Sequence, residues 1–155
     1  ILGIGLLASG FRGLRQYWRE LLIFGLLAIY PFLDTFLQAI NLPYLTAKAG
    51  NFLLLYAGVE VQRQGLFLVM PTGRVEVYGA CSGVHSILQM LSVAVLFLLL
   101  FPVRSHWQKL FCISVAVLIG FLMNAIRVAL MAVLVSWGQM ATFEYWHGGD
   151  GSLVF

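Results

Sequence analysis

The chain alternates between long apolar runs and short polar connections. Three runs cover residues 20–40, 84–101 and 110–136. Each is close to or above the length of about 20 mainly apolar residues that a membrane-spanning helix needs. Residues 1–10 form a shorter apolar segment, which we interpret as part of a further span. The pattern therefore predicts a polytopic bundle of transmembrane helices.

Basic residues are concentrated in two of the short connections. Residues 11–20 contain three arginines, and residues 102–109 contain an arginine, a histidine and a lysine. Short cytoplasmic loops carry an excess of Lys and Arg, so both connections are predicted to face the cytoplasm. Residues 41–80 and the segment from residue 137 onward are then predicted to face the exterior.

The long outer connection has a pattern of its own. Residues 42–58 contain a proline near their start and apolar positions at helical spacing, which predicts an interfacial or re-entrant helix. Residues 59–79 alternate polar and apolar positions around the turn sequence PTG. We therefore predict an all-α membrane fold with a small β-hairpin-like outer loop that leads directly to Cys81.

Composition supports this class and excludes others. Of the 155 residues, 61% are hydrophobic and 10% are charged, and the mean hydropathy is +0.95. Soluble domains contain about 25% charged residues, so the chain is predicted to be an integral membrane protein. A net charge of +3 gives no basis for a nucleic-acid partner. No CxxC, paired-histidine or HExxH spacing is present, so no metal site or other cofactor is predicted.

Three reactive side chains are predicted to meet at the outer membrane face. An arginine within an apolar helix costs about 2.5 kcal/mol or more, so Arg127 calls for a polar partner or a function. At about 1.5 Å of rise per residue, Arg127 lies roughly 26 Å above Leu110, and Cys81 lies roughly 33 Å above Val103. Both heights fall near the outer edge of a hydrocarbon core about 30 Å thick. His147 follows the arginine-bearing helix on the same side.

This set of groups suits acyl transfer. A thiolate attacks a carbonyl carbon, an acid or base moves protons, and a cation stabilises the oxyanion. Cys81 precedes an apolar helix, so the helix dipole and a nearby Arg or His cation are expected to lower its pKa. Ser82 is a candidate cap of that helix. Gly83 leaves room for the backbone of a substrate.

Three motifs in this order resemble those of the exosortase and archaeosortase family of membrane cysteine transpeptidases. They are ACSGVHS, then NAIRV one span later, then WHGGDGS. The resemblance implies that Cys81 is the nucleophile, Arg127 the oxyanion-stabilising cation and His147 the general acid/base. The run YGACSGVHSILQM is similar to the cyanobacterial type of exosortase.

The resemblance also implies a substrate and a location. The substrates would be exported proteins whose C-terminal sorting signal has a recognition motif, a transmembrane helix and a basic cluster. The enzyme would lie in the bacterial plasma (inner) membrane, in contact with lipid, with its site facing the periplasm or exterior. We interpret residues 1–155 as one catalytic domain. Because the chain lacks an initiator methionine and family members have more spans, we expect it to be the C-terminal half of a longer protein.

Three further residues have roles that spacing leaves open. His85 lies four residues after Cys81; it is a rival base if the helix begins early, and otherwise a neighbouring site residue in contact with substrate. Asn124 lies three residues before Arg127 and is expected to orient it or the substrate. Glu76, or another carboxylate on the outer side, could instead pair with Arg127 and hold the hairpin on the bundle.

Two non-catalytic interpretations compete with the enzyme. In a transporter or export scaffold, Cys81, Arg127 and His147 would form a polar packing node or an ion relay. The second non-catalytic interpretation is a Cys/His metal or haem site, which would need His85 as an additional ligand. Cys112 lies within an apolar run without polar neighbours and is expected to be structural.

Overall fold

The structure is a computed structural model. It describes residues 40–78, 81–149 and 151, with four isolated helical positions at Leu21, Gly25, Phe32 and Thr35. The predicted partial span at 1–10, the basic connection at 11–20 and most of the predicted span at 20–40 lie outside the described residues.

Four helices form most of the described chain. They are α1 (Leu42–Tyr56), α2 (Val84–Leu100), α3 (His106–Ser136) and α4 (Met140–His147). Helix α1 has Pro43 in its first turn, where the fixed φ of proline suits a helix. The helices predicted at 84–101 and 110–136 are confirmed as α2 and α3, although α3 already begins at His106, inside the basic connection.

Helix α3 is the membrane-capable element of the described chain. Its 31 residues give a length of roughly 46 Å, which exceeds a hydrocarbon core of about 30 Å. Among the described helices it alone is long and apolar enough to cross a membrane by length and composition, while the apolar α2 has 17 residues. The polytopic bundle therefore stays a prediction.

Helices α2 and α3 pack with their backbones unusually close. The contact is made possible by Gly120, where an added Cβ would lie 2.8 Å from the carbonyl oxygen of Ser86 and 2.9 Å from the Cα of Ile87. Small residues allow such close approach of membrane helices. Away from this contact, large apolar side chains of both helices are exposed, among them Phe97 and Leu122. This exposure is compatible with a lipid environment.

The predicted hairpin is present as part of a larger sheet. Strands β1 (Gln62–Gln64), β2 (Phe67–Met70) and β3 (Gly73–Glu76) form an antiparallel sheet in the order β1-β2-β3. The turn at Pro71 and Thr72 joins β2 to β3 as predicted. The additional strand β1 was not expected, because its sequence QRQ is polar throughout and gives no alternating pattern.

The sheet and α1 pack against the C-terminal half of α3. Their shared apolar core contains Leu54 from α1, Leu68 from β2, Val75 from β3, and Val128 and Val135 from α3. Cys81 belongs to the same core. The connection between residues 41 and 80 is thus a packed layer that holds the segment carrying Cys81 against α3.

Candidate active site

A cavity of about 210 Å³ lies where β3, α3 and α4 meet. It is lined by Arg74, Val75 and Glu76 of β3, by Val128 and Met131 of α3, by Phe143 and His147 of α4, and by Cys81. Three of the residues selected from the sequence, Cys81, His147 and Glu76, therefore share one cavity. Its lining mixes charged and apolar groups beside a thiol.

Cys81 lies in a tight turn immediately before α2. Its side chain is buried, with 7% of its surface exposed. The cap position of α2 is Gly83, which has a left-handed backbone with φ of 95°. Ser82 is not the cap residue of α2, because the cap position is Gly83, but Ser82 Oγ accepts a long hydrogen bond of 3.5 Å from the Val84 nitrogen.

Two buried side chains hold this turn by its carbonyl groups. Asn124 Nδ2 donates a hydrogen bond of 3.0 Å to the carbonyl oxygen of Cys81. Thr46 Oγ1 donates one of 2.8 Å to the carbonyl oxygen of Ser82. Asn124 was expected to orient Arg127 or the substrate, and the structure instead bonds it to the backbone of Cys81. Helices α1 and α3 together fix the position of the thiol.

Thr46 is a site residue that the sequence interpretation missed. It lies 36 residues before its partner Ser82, so no local motif links the two. One signal was available, because Thr46 and Gly50 share a face of α1 and small residues on one face indicate a close approach. That face does pack on α3, since a Cβ at Gly50 would lie 3.3 Å from Val128 Cγ1.

Arg127 joins α3 to α4. Its Nη2 donates a hydrogen bond of 3.0 Å to the backbone carbonyl oxygen of His147. Its Nε is buried and has no hydrogen-bond partner in the part of the chain that the structure describes. Glu76 and Arg127 make no ion pair among the described residues, so the alternative role of Glu76 as the partner of Arg127 is not realised. Arg127 thus has a buried donor that none of the described residues satisfies.

The two histidines that compete as the base occupy different environments. His147 ends α4, and its ring stacks on Phe143 with centroids 5.1 Å apart. It lines the cavity of Cys81, whereas His85 is exposed on the first turn of α2 and does not line that cavity. Spacing suggested His85 because four helical residues make one turn. The left-handed Gly83 lies between Cys81 and the start of α2, so helical spacing does not apply there.

The sequence as a whole is similar to a known protein family. The family model for transmembrane exosortases matches residues 1–155. The chain belongs to the transmembrane exosortase family. No curated protein and no solved structure matches the chain.

Membership of the exosortases confirms the family inferred from the three motifs. It also makes the chain an integral membrane protein with a role of the transpeptidase type, in a family that acts on sorting signals. In this exosortase, the turn that carries the CSG motif is the one held by Thr46 and Asn124.

The protonation of Cys81 differs from the sequence-based expectation. Burial raises the pKa of the Cys81 thiol, and the positive charge of Arg127 lowers it by a smaller amount. The expected lowering of the pKa is therefore wrong in sign, because desolvation of the thiolate outweighs the nearby cation. Burial therefore favours the protonated form of this thiol over the thiolate.

This balance predicts a pH dependence that can be measured. In a Cys112→Ala background, we expect the rate of Cys81 alkylation by N-ethylmaleimide to rise with pH, with a midpoint above the usual range of a thiol. Replacing Arg127 by glutamine removes the charge that favours the thiolate, so the midpoint should move to still higher pH. A midpoint that stays in place or falls in Arg127→Gln would contradict the assigned effect of Arg127.

Gly83 provides a second prediction, with Gly138 as its matched control. Both have positive φ, of 95° and 71°, so alanine costs about 1–2 kcal/mol of unfolding free energy at either site. At Gly83 the new Cβ would also lie 2.8 Å from Asn124 Nδ2, whereas nothing lies within 4 Å at Gly138. We expect Gly83→Ala to lower thermal stability further than Gly138→Ala and to change the rate of Cys81 alkylation. Equal effects of the two substitutions would show that the contact with Asn124 is unimportant.

The second cysteine has a different setting. Cys112 is half-buried near the start of α3 and is not among the residues of the Cys81 cavity. Within residues 40–78, 81–149 and 151, no group of three His, Cys, Asp or Glu residues is placed to hold a metal ion. Because Cys112 lies outside the cavity of Cys81, it offers a matched thiol control for experiments on Cys81.

Proposed function

We propose that the chain is a membrane-embedded cysteine transpeptidase or protease. It cleaves the C-terminal sorting signal of exported proteins through a thioester acyl-enzyme at the outer membrane interface. The observation that carries the proposal is that Cys81 and His147 line one cavity while Arg127 is hydrogen-bonded at His147. A thiol, an imidazole and a guanidinium within one site are the groups that acyl transfer through cysteine needs.

The first step forms the acyl-enzyme. His147 accepts the proton of the Cys81 thiol, and the thiolate attacks the carbonyl carbon of the scissile peptide bond. The need for a base follows from burial, which raises the pKa of Cys81. The oxyanion that develops is stabilised by the positive charge of the Arg127 guanidinium, whose Nε has no hydrogen-bond partner among the described residues. Such a donor contributes about 100- to 1,000-fold to the rate.

The second step releases the sorting signal. Collapse of the tetrahedral intermediate breaks the carbon–nitrogen bond, and protonated His147 gives its proton to the leaving amine. The product is a thioester between Cys81 and the exported protein. An incoming amine, or water, then attacks this thioester and loses a proton to His147, and the thiol of Cys81 is restored. Transfer and hydrolysis thus share the same acyl-enzyme.

The orientation of the site follows from charge and length. The basic connection at residues 102–109 favours a cytoplasmic start of α3. Arg127 lies 21 residues after His106, or roughly 32 Å along the helix, so it reaches the opposite side of a core about 30 Å thick. The site then faces the periplasm or exterior of a bacterial inner membrane. A substrate helix can lie in the lipid beside α2 and α3.

Detection of the thioester tests this proposal. The probe is an exported reporter that ends in an extended segment, a transmembrane helix and a basic cluster, expressed together with the full chain. After rapid acid quenching, we expect a covalent adduct between reporter and enzyme that hydroxylamine releases, because hydroxylamine cleaves thioesters. The adduct should be absent from the Cys81→Ala protein. Processing without any adduct, or an adduct that persists in Cys81→Ala, would overturn the mechanism.

A further inference from the structure

Strand β3 has an open edge at the candidate active site. The sheet order is β1-β2-β3, so β3 pairs with β2 on one side and with no other strand of the described chain. An unpaired strand edge presents backbone N–H and C=O groups that can pair with another chain. All three residues Arg74, Val75 and Glu76 also line the cavity that contains Cys81.

The register shows which backbone groups face outward. The nitrogen of Val77 donates to the carbonyl oxygen of Leu66 at 2.9 Å, so residues 66 and 77 form a hydrogen-bonded pair. Hydrogen-bonded and non-hydrogen-bonded pairs alternate in an antiparallel ladder. Leu68 and Val75 are therefore hydrogen-bonded, whereas the pairs that contain Arg74 and Glu76 are not. The N–H and C=O groups of Arg74 and Glu76 point toward the open edge.

From this geometry we infer that the open edge of β3 is the docking strand for the substrate. The occupant is the extended peptide segment of the exported protein that carries the scissile bond, and it adds to the sheet as a further strand beside Arg74 and Glu76. Paired strands lie about 4.8 Å apart, so the segment would run alongside β3 into the cavity of Cys81. The inference deepens the proposed function and rests on it.

An extended peptide is the occupant whose chemistry fits this edge. Two N–H and two C=O groups at two-residue spacing match the groups of another strand, which is the basis of recognition by strand addition. A substrate helix cannot supply them, because its backbone groups are bonded within the helix. Lipid chains have no donors or acceptors at this spacing. Backbone pairing would also let sequences with different side chains present their carbonyl to Cys81.

Proline substitution tests the docking, because it removes one outward N–H without breaking the ladder bond to β2. We compare Glu76→Pro with Glu76→Ala, which keeps the N–H. The quantity measured is the KM for the reporter that has the extended segment, the helix and the basic cluster. The loss of one backbone hydrogen bond predicts a KM about 3- to 10-fold higher for the proline variant than for the alanine variant. Alkylation of Cys81 by N-ethylmaleimide should occur at the same rate in both.

The opposite edge of the sheet supplies the matched control. Arg63 of β1 lies in a non-hydrogen-bonded position, and β1 does not line the cavity of Cys81. We expect Arg63→Pro and Arg63→Ala to process the reporter with the same KM. Equal KM values for Glu76→Pro and Glu76→Ala would overturn strand docking while leaving the proposed function intact. A wild-type protein that does not process the reporter would overturn both.

A crosslinking measurement covers the case in which Glu76→Pro does not fold. In a chain with Cys81→Ala and Cys112→Ala, Glu76→Cys provides one thiol at the open edge. Single cysteines are placed along the extended segment of the reporter. Strand pairing predicts disulfides at alternate reporter positions, because side chains of a strand alternate between its faces. Crosslinking at every position, or at none, would overturn the docking, and this readout does not need catalysis.

Discussion

Replacing Cys81 by alanine is expected to reduce reporter processing by at least about 1,000-fold while the protein remains folded. The sulfur is the only heavy atom lost, and removal of a catalytic nucleophile has effects of this size or larger. Cys81 belongs to the apolar core with 7% of its surface exposed, so alanine leaves only a small void there. Processing is followed by the size of the reporter, and folding by thermal unfolding in detergent.

Cys112 provides the control for this experiment. Cys112→Ala removes an equivalent thiol from α3, outside the cavity, and should process the reporter within about threefold of the wild type. Processing by the Cys81→Ser protein distinguishes the enzyme interpretation from the transporter or scaffold interpretation. A packing node tolerates serine in place of cysteine, whereas a nucleophile does not. Normal processing by Cys81→Ala would remove the basis of the catalytic assignment.

Replacing His147 by alanine is expected to slow processing by about 100- to 10,000-fold, the usual contribution of a general acid or base. The substitution removes the ring and keeps the backbone carbonyl, so the hydrogen bond from Arg127 Nη2 can remain. The dependence of the rate on pH should also change, because a protonated thiol would then have to ionise without a base. Added imidazole should restore part of the activity.

His85→Ala is the matched histidine control. Its side chain is exposed and lies outside the cavity of Cys81, so processing should stay within about threefold of the wild type. A large loss in His85→Ala together with full activity in His147→Ala would reverse the assignment of the base. Loss in both proteins, with rescue of neither by imidazole, would indicate structural roles for both rings.

The fold was predictable where the residues of a segment by themselves favour one structure. Long apolar runs specify helices such as α3 because burial and backbone pairing both favour a helix in lipid. The turn between β2 and β3 was predictable because Pro71 begins it and alternating residues flank it. Strand β1 was not, because pairing with β2 specifies it and its own residues do not. The proximity of Cys81 to His147 was predictable because the lengths of the apolar runs place both residues at the same face of the membrane, and they line one cavity.

The details of the site depend on contacts that depth and motif do not encode. Thr46 donates to Ser82 across 36 residues, and only the packing of α1 on α3 brings the two together. The pKa of Cys81 is a difference between two opposing effects, so its sign depends on how deeply the thiol is buried. Helical spacing favoured His85, but one left-handed glycine changes the direction of the chain before α2.

The bonds that hold the CSG turn have a consequence for the biosynthesis of the protein. Thr46 is synthesised before Cys81, and Asn124 is synthesised 43 residues after it. The turn therefore cannot acquire its final shape until α3 has left the ribosome and inserted beside α2. Until then the nascent chain has a thiol but lacks both Arg127 and the helix that ends in His147. We expect the nascent enzyme to stay inactive toward neighbouring exported chains until the helix that ends in His147 has been synthesised.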